Sequence, residues 1–202
     1  MKFIEYFKWK IRKFHYQYLY PNDRVFIHIP KTGGISYYKT RYNFSLGHFS
    51  IYQFQNITNL SHKKYIAIVR DPVERFISSV NHMKNNGSSN GKFNDAILRK
   101  KLFNLNLYKI LDYFEYNFAD LNNFDPIFKE QSFYLNNKSY VQSLLLCNFK
   151  NFHFKKKKNT AINYHNYLIT DEIKERIYKI YHNDYLLYKK LEDKNSIEIS
   201  LN

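Results

Sequence analysis

Two short stretches of the chain are apolar at consecutive positions, and longer ones are apolar at every third or fourth. "VFIHI" (Val25 to Ile29) is a β-rich run ended by Pro30, and "YIAIVR" (Tyr65 to Arg70) is a second of the same kind. A strand that is apolar on both faces belongs inside a sheet covered on both sides, as parallel strands flanked by helices are. After the first run, Ile35 to Tyr42 predicts a helix. After the second, "DPVERFISSVNHM" (Asp71 to Met83) predicts another, with Asp71 at the N-cap, Pro72 at N1 and Glu74 at N3. Its buried stripe is Val73, Phe76, Ile77 and Val80, which leaves Arg75, Ser78 and His82 on the opposite face as solvated polar positions.

Beyond this helix the pattern is less regular. "NNGSSNG" (Asn85 to Gly91) predicts a polar loop, and Phe93 to Phe124 holds helical patches broken by asparagines. From Thr170 a strong helical pattern places Ile173, Ile177, Ile180 and Tyr181 on one side and runs on to "NDYLLY". At the start, Phe3, Phe7, Ile11, Phe14 and Tyr18 recur at helical spacing, while Lys8, Lys10, Arg12 and Lys13 interrupt any apolar run. That excludes a signal-type or membrane-spanning segment there and predicts a helix docked on the protein, or laid peripherally on an anionic membrane. The expectation is a soluble, cytoplasmic protein. With no repeat and no Pro- or Gly-rich linker, residues 1–202 form a single domain: a basic helix over 1–20, a core over 25–82 and a variable stretch over 83–127.

Charge narrows the partners. The 32 Lys and Arg residues against 17 Asp and Glu give a formal +15, which suits a polyanion: nucleic acid, an anionic membrane, a sulfated sugar or a phosphate-rich cofactor. The 20 Tyr and 18 Phe add little, since such a mixture also follows from coding bias. Cys147 is the only cysteine, so an intrachain disulfide and a multi-cysteine zinc site are excluded and a reducing compartment fits.

The chemistry concentrates in "FIHIPKTGGIS" (Phe26 to Ser36). A strand, a glycine-containing loop and a helix in this order aim backbone N–H groups and a helix N-terminus at an anion. Gly33 and Gly34 permit close approach, Thr32 and Ser36 offer hydroxyls, and Lys31 supplies a point charge. The pattern is not the nucleoside-triphosphate P-loop, whose lysine follows its last glycine. Arg70, at the carboxyl end of the second strand, stands where open α/β sheets place their ligand sites. His28, inside the first strand, reads as a hydrogen-bonded core residue.

These residues resemble the carbohydrate-type sulfotransferases, Golgi-like and bacterial, and are similar to heparan sulfate 2-O-sulfotransferases. In that family the loop matching Pro30, Lys31, Thr32, Gly33, Gly34, Ile35 and Ser36 binds the 5′-phosphosulfate of 3′-phosphoadenosine 5′-phosphosulfate. "RDPVERFIS" matches the family's second signature, with Arg70 and, eight residues on, Ser78 for the 3′-phosphate. "LGHFS" (Leu46 to Ser50) looks like its Gly-His segment, which makes His48 the general base on the acceptor hydroxyl. Looser likenesses continue in "KEQSFYL" (Lys129 to Leu135), in "KKKKNTAINY", where Lys155 to Lys158 would lie near the nucleotide, and in "NDYLLY".

The resemblance implies a three-layer P-loop-like fold, with a central parallel sheet flanked by helices. It also implies the sulfated nucleotide as donor co-substrate, no metal, a carbohydrate acceptor met by residues 83–127, and Lys31 and His48 as catalytic groups. An ATP-using, kinase-like enzyme is the enzymatic alternative, and a basic nucleic-acid-binding module is the other. No recognised nucleic-acid motif accompanies the latter.

Overall fold

The structure, a computed structural model, describes residues 10, 11, 14, 24–41, 47–53, 64–85, 93–124, 127–136, 143–152 and 166–200. A four-stranded sheet in the order β1-β2-β3-β4 lies at its centre. The strands are β1 (Val25–Ile27), β2 (Tyr65–Val69), β3 (Ser143–Asn148) and β4 (Ser196–Ser200). The first three are parallel, with Val25 opposite Tyr65 and Tyr65 opposite Leu144, and β4 returns antiparallel with Ile199 opposite Leu144. The α/β expectation therefore holds with one correction: the sheet is mostly parallel, and its last strand is antiparallel.

Besides the helical residues 10, 11, 14 and 51–53, seven helices with described bounds accompany it. They are α1 (Gly34–Arg41), α2 (Pro72–Lys84), α3 (Phe93–Leu102), α4 (Leu107–Phe124), α5 (Gln131–Leu135), α6 (Asp171–Ile180) and α7 (His182–Lys189). The side chains of β1 and β2 are buried on both faces, as their unbroken apolar runs require. Tyr37 of α1, Tyr134 of α5 and Tyr188 of α7 pack with them. A second apolar cluster is wholly helical, with Phe76 of α2 edge-on to Phe114 of α4 at 5.0 Å and Ile173 and Ile177 of α6 beside them. Each fully buried side chain of this size contributes roughly 1.5–3 kcal/mol.

The caps of α2 and α6 form as their sequences predict. Asp71 accepts from the Glu74 amide at 2.9 Å, and Thr170 accepts from the Ile173 amide at 3.3 Å. Two further expectations need correction. The helix begun at Thr170 is broken at Tyr181, whose ψ of 48 lies outside the helical range and whose hydroxyl donates to the Phe128 carbonyl at 3.0 Å. Arg75 is not solvated: it is 3% exposed, because α2 is covered on both sides and its polar face meets Pro30, Ile127 and Asp184.

Of the N-terminal segment only Lys10, Ile11 and Phe14 are described, and all three are helical and exposed. Ile11 and Phe14, expected on a docked face, are thus open to solvent. The loop after Asn85 and the Lys155 to Lys158 run lie outside the described residues. Among the described residues no helix is long and apolar enough to cross a membrane.

Candidate anion-binding site

The site is built where β1 and β2 end. β1 stops at Ile27 because the chain turns back on itself, the Ile29 amide donating to the Ile27 carbonyl at 3.1 Å, and Pro30 has no N–H to extend a ladder. Lys31 then takes φ 66 and Gly33 φ 82, two left-handed residues that swing the chain into α1. For glycine this costs nothing, whereas for lysine it costs about 1–2 kcal/mol. Thr32 is fully buried, and its hydroxyl donates to the Ile29 carbonyl at 2.9 Å, so it fixes the loop's shape from inside. Gly34 answers a different demand: a Cβ there would stand 1.9 Å from His28 Cδ2, because the His28 ring fills that space. The first intrahelical bond, Tyr37 N to Gly33 O at 3.1 Å, sets the positive end of α1 at Gly33–Ser36. Pro30 and Ser36 are buried, while Ile35 is exposed.

Arg70 follows β2 and is held from several directions. The Gln131 side chain clamps its backbone, accepting from Arg70 N at 2.9 Å and donating to Arg70 O at 2.8 Å. Its guanidinium lies over the Phe149 ring, 4.5 Å from the centroid. Nη1 donates to the Lys31 carbonyl at 3.2 Å, and Nε meets Glu74 Oε2 at 3.3 Å. Arg75 supports the same loop from beneath, with Nε donating to the Pro30 carbonyl at 3.0 Å and Nη2 to that of Ile127 at 3.2 Å.

Three cations thus surround one turn of chain. Burial, followed by the charges of Arg70 and Arg75, pulls the Lys31 amine down to about 8. Among the described residues no carboxylate lies within ion-pair distance of it. A half-buried ammonium placed beside two guanidiniums has no carboxylate partner among the described residues, and an arriving anion would supply the balancing charge.

His48 comes to the same place from a separate segment. Its Nδ1 is 2.9 Å from the His28 carbonyl; a carbonyl only accepts, so Nδ1 carries the proton and Nε2 is the basic nitrogen of the neutral ring. The His28 and His48 rings pack with centroids 4.3 Å apart. His48 itself is exposed, whereas His28 is buried and pushed well below the ordinary histidine value by desolvation and then by His48. His28 is buried as predicted, but it lies just past β1, which ends at Ile27 and not at Ile29 as the apolar run suggested. Ser78 is half-buried, about 10 Å along α2 from Asp71, and makes no hydrogen bond to Lys31 or Arg70.

The structure therefore brings Pro30 to Ser36 and Arg70 together and sets His48 beside His28, whose ring lies against Gly34, with Ser78 further along α2. Sequence reasoning missed Arg75, Gln131 and Asp184. Asp184 is fully buried and accepts from the Gln131 and Ser132 amides at 2.8 and 2.9 Å. The signal for it was faint: "KEQSFYL" and "NDYLLY" are the two segments that meet here. Comparison of the chain with protein-family models, with curated proteins and with solved structures finds no significant match.

Proposed function

We propose that this chain is a sulfotransferase that moves a sulfuryl group from 3′-phosphoadenosine 5′-phosphosulfate to a hydroxyl, in a carbohydrate acceptor. We read its sheet accordingly as the core of a three-layer P-loop-like fold. The observation that carries the reading is the convergence of Lys31, Arg70 and the start of α1 on one loop, with no carboxylate among the described residues to balance Lys31. An ordered pair of donor-type motifs supplies these residues.

In this scheme the 5′-phosphosulfate lies on the Lys31 to Ser36 loop, and Arg70 and Ser78 take the 3′-phosphate. His48 Nε2 removes the proton of the acceptor hydroxyl as its oxygen attacks sulfur. The bond from sulfur to the bridging oxygen breaks on the far side, and the electron pair leaves with 3′-phosphoadenosine 5′-phosphate. Lys31 and the loop amides stabilise the negative charge that develops there, a contribution commonly worth about 3–4 kcal/mol per donor.

The test is donor-dependent transfer of labelled sulfate to a panel of polysaccharides and glycosides. His48→Ala should leave donor affinity unchanged and lower turnover about 10²–10⁴-fold. Lys31→Ala should reduce turnover much more than donor affinity, and Arg70→Ala should mainly weaken the donor. Equal and small effects from all three would contradict the assignment.

A further inference from the structure

Asp184 stands on α7, far along the chain from either donor-type motif, and its carboxylate is completely buried. Two chains of contacts leave it. One passes through the amides of Gln131 and Ser132, at 2.8 and 2.9 Å, into the start of α5, and from the Gln131 side chain to both backbone atoms of Arg70 at 2.9 and 2.8 Å. The other passes to Arg75 Nη1 at 3.8 Å, and from Arg75 Nε to the Pro30 carbonyl at 3.0 Å. One arm ends on Arg70, the residue after β2, the other on the residue that precedes Lys31. The two halves of the anion site come from strands joined by a long connection, yet both refer to a single carboxylate.

We infer that Asp184 is a positioning residue of the anion site, fixing through Gln131 and Arg75 the separation of Arg70 from the Lys31 loop. It does so without touching the ligand. A buried carboxylate is costly to keep charged, and burial does push Asp184 up to about 6 against the pull of Arg75 and the two amides. Glu130, the residue before α5, adds to that upward push. An apolar residue would fill the space at less cost but could neither accept two amides nor face a guanidinium. Gln131 serves the same end: its amide side chain carries an acceptor and a donor side by side, so it can accept from Arg70 N and donate to Arg70 O at once.

The inference takes its ligand from the sulfotransferase reading, and the experiment separates the two. Asp184→Asn and Gln131→Ala are prepared in the full chain. Each is titrated with 3′-phosphoadenosine 5′-phosphate, and amide hydrogen exchange is followed by mass spectrometry. The expected result is a loss of affinity of at least tenfold for Asp184→Asn and at least threefold for Gln131→Ala, with little further loss in the double variant. Exchange should quicken in peptides carrying residues 30–36 and 70 while those of β3 and α6 are unchanged. Affinity within twofold of wild type, or exchange that quickens evenly through the whole core, would overturn the inference. If the wild-type chain takes no bisphosphate, the functional reading fails, and local against uniform exchange still decides the positioning role. If Asp184→Asn does not fold, Gln131→Ala, which leaves the Asp184–Arg75 pair intact, carries the test alone.

Discussion

Lys31 is the only residue other than glycine with a positive φ among those described. It is also crowded by Arg70 and Arg75 and partly withdrawn from water, which lowers its proton affinity. Both features oppose folding. Strained backbone held by its surroundings is the expected mark of a binding or reacting group. Replacing Lys31 by Gly should therefore raise the melting temperature, by an amount corresponding to about 1 kcal/mol or more, while lowering transfer far more than donor affinity. Differential scanning calorimetry beside a donor titration checks this. A Lys31→Gly protein that is less stable than wild type would mean that the lysine is held by contacts favourable in themselves.

At the level of elements, α2 is the hinge between fold and site. It starts directly after Arg70, carries Arg75 and Ser78, and joins the sheet's end to the helical cluster. Its first turn depends on Asp71, which caps the Glu74 amide through Oδ1 and accepts from Tyr178 through Oδ2 at 3.1 Å. Asp71→Ala should cost about 1–2 kcal/mol in chemical denaturation, and Asp71→Asn, which still caps, should cost less. Equal costs would show that the cap matters less than the Tyr178 contact.

This helix also shows what was legible beforehand. Its start, its cap and its apolar stripe are local properties, written in consecutive residues. Arg75 was misread because helical periodicity assumes one buried side and one wet side, whereas α2 is enclosed on both. The strands β1 and β2 were legible because they are apolar throughout. The alternation of Ile197 and Ile199 with Ser196 and Glu198 in β4 is too short to distinguish from a polar tail. In the site, the loop could be found from glycines and a lysine in fixed order. The Gln131–Asp184 contact joins residues 53 apart in the chain, a pairing that tertiary packing alone creates.

For the molecule as a whole, the formal charge of +15 draws anions generally, while the state of one amine adjusts how the site uses them. The Lys31 amine stands at about 8 against an ordinary 10.5. An anion binds the protonated amine more tightly, so binding takes up a proton once the pH exceeds that value. Bisphosphate affinity should fall modestly, by less than about tenfold in all, as the pH rises through about 8, while kcat/KM for transfer falls more steeply over the same range. Lys31→Arg, which stays charged, should remove the fall even where it weakens binding. Calorimetric titrations in buffers of different ionisation heat would detect the proton taken up.

The most direct measurement is the affinity of the purified protein for 3′-phosphoadenosine 5′-phosphate, set against 5′-AMP and ATP at one salt concentration. The account predicts that the bisphosphate binds at least tenfold more tightly than either, and that Arg70→Ala removes this preference. Equal affinity for all three nucleotides, or preference for ATP, would contradict it.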